Sequence, residues 1–112
     1  MPLISTLGRK SDFIRIFQKG KRAYSLSLIM IGIKQTNQTD RPRFAFQLKK
    51  KLGSAVVRNR LRRQLKEIAA HLENTCLKWD IVISVRPCAV GQRYVDLEKE
   101  FKKGLSKLGC CR

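Results

Sequence analysis

Between Val57 and Leu72 the apolar residues recur at helical spacing, and this stretch limits the fold more than any other. On a wheel of about 100° per residue, Val57, Leu61, Leu65, Ile68 and Leu72 fall within a sector of about 80°. So narrow a seam suits docking on a sheet. The remaining circumference is cationic. Arg58, Arg62 and Lys66 follow one another at i, i+4, i+8 along one flank, Asn59 and Arg63 lie near the pole, and Arg60 lies on the far flank beside Glu67. Like charges at i, i+4 cost a helix roughly 0.2–0.5 kcal/mol per pair. A helix selected only for solubility would interleave glutamates; this one has Glu67 and Glu73, both in its second half. Its first turns are therefore an uncompensated positive surface. Arginine forks match phosphate oxygens bidentately and stack on bases.

The whole chain carries the same bias. Its 112 residues contain 25 Lys plus Arg and 8 Asp plus Glu, so the net charge is 25 − 8 = +17. With 43% hydrophobic residues the chain has enough apolar content for one core, and a single nucleic-acid-binding domain over residues 1–112 is expected. A charge this high opposes compaction by self-repulsion, which a polyanionic partner relieves. Composition alone does not separate RNA from DNA. The longest nearly apolar stretch, Leu26 to Ile33, is far short of the roughly 20 residues of a membrane span. The N-terminus lacks a signal-type apolar region, which points to the cytoplasm. Cys76, Cys88, Cys110 and Cys111 form no C-x-x-C pair and His71 is the sole histidine, so no metal site is expected on the protein.

Around the long helix, expected over Ala55 to about Asn74 with Ser54 as N-cap, the other elements follow from periodicity and caps. Ser11 to Lys19 reads as a short helix ended by Gly20, with Phe13, Ile16 and Phe17 on one side. Leu26 to Ile33 reads as a strand and Lys34 to Pro42 as a loop. Arg43 to Lys49 alternates: Phe44, Phe46 and Leu48 point to a buried face, while Arg43, Ala45, Gln47 and Lys49 form a polar one. Lys50 to Gly53 is a turn; its lysines fit either a solvated turn or a phosphate site beside the helix N-terminus. Ile81 to Val85 is continuously apolar, hence a central strand, and Asp96 is placed to cap a last helix bearing Leu97, Phe101, Leu105 and Leu108. The order helix-strand-strand-helix-strand-helix gives an α+β fold, a small sheet packed by helices.

Residues Lys50-Lys51-Leu52-Gly53-Ser54-Ala55-Val56-Val57-Arg58-Asn59-Arg60-Leu61-Arg62-Arg63 resemble the signature of the bacterial ribonuclease P protein subunit. Asp12-Phe13 with Phe17 and Gly20, Asp80 to Ile83 before Arg86-Pro87, and Tyr94 to Leu105 resemble the family's first helix, last strand and final helix. The resemblance implies a protein cofactor for a catalytic RNA that cleaves precursor tRNA to form its mature 5′ end. It implies magnesium held mainly by the RNA, with no protein ligand identified, and a left-handed β-α-β crossover where the general rule gives the right-handed form. The RNA-binding role carries to Lys50, Lys51, Arg58, Asn59, Arg60, Arg62 and Arg63, with Lys66 continuing their row. A cleft for the single-stranded 5′ leader carries to Phe13 and Phe17, with Lys49 adding phosphate attraction. The same phenylalanines at helical spacing also fit ordinary core. Where the family's strands bear small residues, serines and an aromatic, this chain has Ala45, Gln47 and Lys49, and Leu28 to Ile31; Tyr24 is a substitute aromatic.

Other functions fit less well. A nuclease acting alone needs convergent carboxylates. The acids Asp96, Glu98 and Glu100 instead read as the acidic start of a helix, and His71 as a helix-surface or edge residue. A ribosomal or other structural RNA-binding protein accounts for the charge equally well. A membrane-surface helix would need a broader apolar face than the seam of Val57 to Leu72. The expected partners are the catalytic RNA and precursor tRNA, with no membrane and no protein partner.

Overall fold

A computed structural model describes residues 5–6, 10–35, 42–72 and 79–109. In chain order the elements are β1 (Ser5–Thr6), α1 (Lys10–Lys19), β2 (Lys21–Tyr24), β3 (Leu28–Lys34), β4 (Arg43–Gln47), α2 (Ala55–Leu72), β5 (Trp79–Val85) and α3 (Tyr94–Leu108). They form an α+β fold with one sheet in the order β1-β4-β5-β3-β2. β5, the continuously apolar segment, sits between β4 and β3 as its composition requires. β4 and β5 are parallel neighbours, Arg43 opposite Asp80 and Gln47 opposite Ser84, and α2 connects them. This is the β-α-β unit that the family resemblance singles out. β3 runs antiparallel to β5 and to β2.

Helices cover both faces. On one side α2 and α3 bury Leu61, Leu65, Ile68, Phe101 and Leu105 against Met30, Phe44, Ile81 and Ile83. The approach of α3 is close: a Cβ on Gly104 would lie 2.6 Å from Met30 Sδ, so any larger residue there requires the Met30 side chain to move. On the other side α1 buries Ile16 against Ile31, Ala45 and Val82, with Phe13 and Ile33 partly buried beside them. The alternate face of β4 is therefore not simply solvated, as its polarity suggested. Ala45 is buried beneath α1, while Gln47 and Lys49 beyond it are exposed.

Two short strands join the expected elements. β2 has a single inward residue, Ala23 opposite Met30, so its sequence carries almost no hydrophobic alternation. β1 pairs through its backbone with Arg43 and Phe44. β3 begins at Leu28 rather than Leu26. The Ser25 N–H donates to Leu28 O at 2.9 Å and closes a bend that leaves Leu26 68% exposed. α3 starts at Tyr94, ahead of the expected cap. Asp96 lies in its first turn, 3.4 Å from Arg93 Nε, because Tyr94 packs against the larger core and extends the helix backwards. Lys50–Leu52 form a 3-10 turn, and Gly53 at φ 147° redirects the chain into α2, a backbone angle unfavourable to residues with a Cβ. Ser54 caps α2 weakly, its Oγ 3.4 Å from the Val57 N–H. The expected cap Asn74 lies outside the described residues, as do Cys76, Cys110 and Cys111; Cys88 is exposed and free.

Candidate nucleic-acid interface

The seam of α2 is buried as its spacing demands, with Leu61, Leu65, Ile68 and Leu72 in the core and Val57 half-buried at its start. Rotation of the helix is thereby set, and its outer residues are set with it. Asn59, Arg60, Arg63 and Lys66 are exposed, and Arg58 and Arg62 are half-buried along the flank. Arg62 Nη1 donates to Asn59 Oδ1 at 3.1 Å, which holds the guanidinium over the middle of the row. Arg58 Nε is enclosed and has no hydrogen-bond partner among the described residues. Among the described residues no carboxylate pairs with Arg58, Arg60, Arg62 or Arg63. No acidic residue lies in the first turn of α2, so its amide dipole adds to the field. Lys49, Lys50 and Lys51 are exposed on the turn that leads into it.

A second surface lies on the far side of the sheet. Residues of alternate parity form a row across four strands: Gln47, Ser84, Ile29 and Tyr24. Ser84 Oγ donates to Gln47 Oε1 at 2.8 Å. α1 sits over the neighbouring row of Ala45, Val82 and Ile31 and leaves this one open. On the helix, Arg15 and Phe17 are about 200° apart. Arg15 reaches Asp80 at the other end of the sheet, so the Phe17 flank turns to the open row. The two phenylalanines thus divide. Phe13 is half-buried in the smaller core, and Phe17 is 38% exposed. Of the two rings only that of Phe17 is exposed, and Tyr24, on edge strand β2, is a further exposed aromatic at 53%.

Asp80 is the one site residue that periodicity concealed. It is fully buried and accepts from Arg43 Nε at 2.8 Å, Arg43 Nη2 at 2.7 Å and Arg15 Nη2 at 2.7 Å. The signal was an acid inside an apolar strand, on the same parity as Val82. This cluster ties α1 to β4 and β5. Asp80 is thereby committed to arginine, and Asp96 lies near Arg93. Among the described residues no three of His, Cys, Asp and Glu converge. His71 is exposed on α2, its Nδ1 3.4 Å from the Tyr94 hydroxyl. Burial pushes the Tyr94 phenol above its ordinary pKa, and Glu67 and Glu98 push it further, so it stays protonated at neutral pH. No described helix is long and apolar enough to cross a membrane.

The family model for ribonuclease P matches residues 1–109. The ribonuclease P protein component of Acidothermus cellulolyticus is 33% identical over 111 residues, covering 96% of this chain and 91% of that protein. That of Desulforamulus reducens is 37% identical over 97 residues, covering 86% and 84%. The ribonuclease P protein of Staphylococcus aureus has the same fold, with a TM-score of 0.86 at 22% identity over 96% of this chain and 97% of that one. The Thermotoga maritima protein aligns at a TM-score of 0.80 and 25% identity, covering 92% and 96%. Together with an arginine-faced α2 where the signature residues lie, these matches show that the chain belongs to the ribonuclease P protein family.

Proposed function

We propose that this protein is the RNA-binding cofactor within the ribonuclease P holoenzyme, with the chemistry performed by the catalytic RNA and its magnesium ions. The outer face of α2, with Lys50 and Lys51, binds the backbone of the catalytic RNA. The cleft between α1 and the open sheet row holds the unpaired 5′ leader of precursor tRNA, Phe17 stacking on a base and Lys49 attracting a phosphate. The observation that carries this reading is the outer face of α2, where Asn59, Arg60, Arg63 and Lys66 are exposed and, among the described residues, no carboxylate pairs with Arg58, Arg60, Arg62 or Arg63. The protein supplies no general base or metal cradle in this scheme. Its contribution is to neutralise phosphates and position substrate. The family match disfavours a ribosomal role.

Reconstitution tests the proposal. Added to a catalytic RNA and precursor tRNA at low magnesium, the protein is expected to raise the rate of 5′ cleavage; no gain overturns the cofactor role. Phe17→Ala is expected to weaken binding of leader-bearing substrate by about 1–3 kcal/mol, the usual value of one base on one aromatic ring. A partly exposed side chain contributes little to the core, so the fold should lose about 1 kcal/mol or less. Equal loss for leader-bearing and leaderless substrates, measured by equilibrium titration, would remove Phe17 from the cleft's function.

A further inference from the structure

The remaining strongly charged surface lies on α3. Lys99, Lys103 and Lys107 recur at i, i+4, i+8, and all are exposed. The helix rises about 1.5 Å per residue, which places the lysines about 6 Å apart along its axis, the scale of successive phosphates in an extended strand. They line a groove of about 530 Å³ together with the Tyr24–Leu26 turn and Glu100. Among the described residues neither Lys99 nor Lys103 has an ion-pair partner. Glu100 is the sole carboxylate among the lining residues: its Oε1 accepts the Ser27 N–H at 3.2 Å, and its Oε2 is enclosed with no hydrogen-bond partner among the described residues, turned away from solvent and so from the open side of the groove. Lys107 Nζ donates to Tyr24 O at 2.9 Å, which fixes the turn against the helix.

Tyr24 joins this groove to the cleft. Ala23 points into the larger core, so alternation along β2 turns the Tyr24 side chain to the opposite face, at the end of the open row, while its carbonyl borders the groove. A strand leaving the cleft across this edge meets the exposed Tyr24 ring, then exposed Leu26, then the lysine row. We propose that the α3 groove binds the phosphate backbone of the leader upstream of the cleft, so that long leaders are held at two places. This rests on the cleft reading above. Phosphates pair with Lys99 and Lys103, and an unpaired base lies against Tyr24 and Leu26.

The test uses the reconstituted holoenzyme with two precursor tRNAs, one whose leader ends within the cleft and one whose leader extends well beyond it. Lys99→Glu with Lys103→Glu is expected to weaken the long-leader substrate roughly tenfold and the short-leader substrate less than twofold, with a smaller salt slope for the long leader. Lys99→Gln with Lys103→Gln, which leaves helix propensity nearly intact, should show the same selectivity at smaller size and decides the matter if the charge reversal fails to fold. Equal affinities for both leaders relative to the unaltered protein overturn the proposal. So does a loss of affinity for the catalytic RNA alone with leader-length dependence intact. Phe17→Ala is read in parallel: if it affects neither substrate, the cleft reading fails, whereas the lysine variants report on the groove alone.

Discussion

RNA affinity is expected to fall steeply between 50 and 200 mM monovalent salt, by roughly 10³-fold or more. The magnitude follows from the seven cations on and beside α2: Lys50, Lys51, Arg58, Arg60, Arg62, Arg63 and Lys66. A protein that neutralises about 6–10 phosphates loses roughly 10³–10⁵ over that range on duplex DNA; the trend carries to RNA. Arg60→Ala and Arg62→Ala should each lower affinity and reduce the salt slope by about 1. Neither should change the melting temperature much. Arg60 is exposed, and among the described residues Arg62 is held only by Asn59 on its own helix. Filter binding across a salt series, beside thermal melts, checks this. A flat salt response, or a large melting shift with unchanged binding, would show these arginines to be structural.

Asp80→Ala is expected to cost the fold about 3–5 kcal/mol, the usual penalty for removing one partner of a buried ion cluster. Asp80 is fully buried and is the shared acceptor of Arg15 and Arg43, whose side chains are 24% and 18% exposed. Without it two guanidinium groups remain poorly solvated and close together. Arg15 and Arg43 retain some water contact, which favours the lower end of the range. The loss should extend to function, because the Arg15–Asp80 contact anchors the helix proposed above as the wall of the leader cleft. Replacing Asp80, Arg15 and Arg43 together by apolar residues of similar volume should recover most of the stability. Urea denaturation measures both. An Asp80→Ala variant within about 1 kcal/mol of the unaltered protein would show that the cluster is solvated in solution.

Much of this architecture was legible in the order of residues because it depends on neighbours a few positions apart. The seam of α2, its cationic back and the two-sided burial of β5 are local periodicities, legible before any partner is known, whereas the alternation of β4 hid the burial of Ala45 beneath α1. The Arg-Asn-Arg signature tied those periodicities to a family. Edge strand β2 escaped notice for the complementary reason. Its pairing to β3 uses backbone groups, which every sequence has, and only Ala23 turns inward.

Taken alone, the chain's letters determined that α2 presents arginines outward, since burying its leucines leaves them no other direction. Tertiary structure decided what lies on the opposite side of the sheet. It brought Arg15 and Arg43 to Asp80 across 65 and 37 residues of chain. It laid α1 over Ala45 but not Gln47, and it turned Phe13 inward while leaving Phe17 exposed. These outcomes depend on where one helix crosses one sheet, a distance set by packing between segments far apart in sequence, which no periodicity within either segment records.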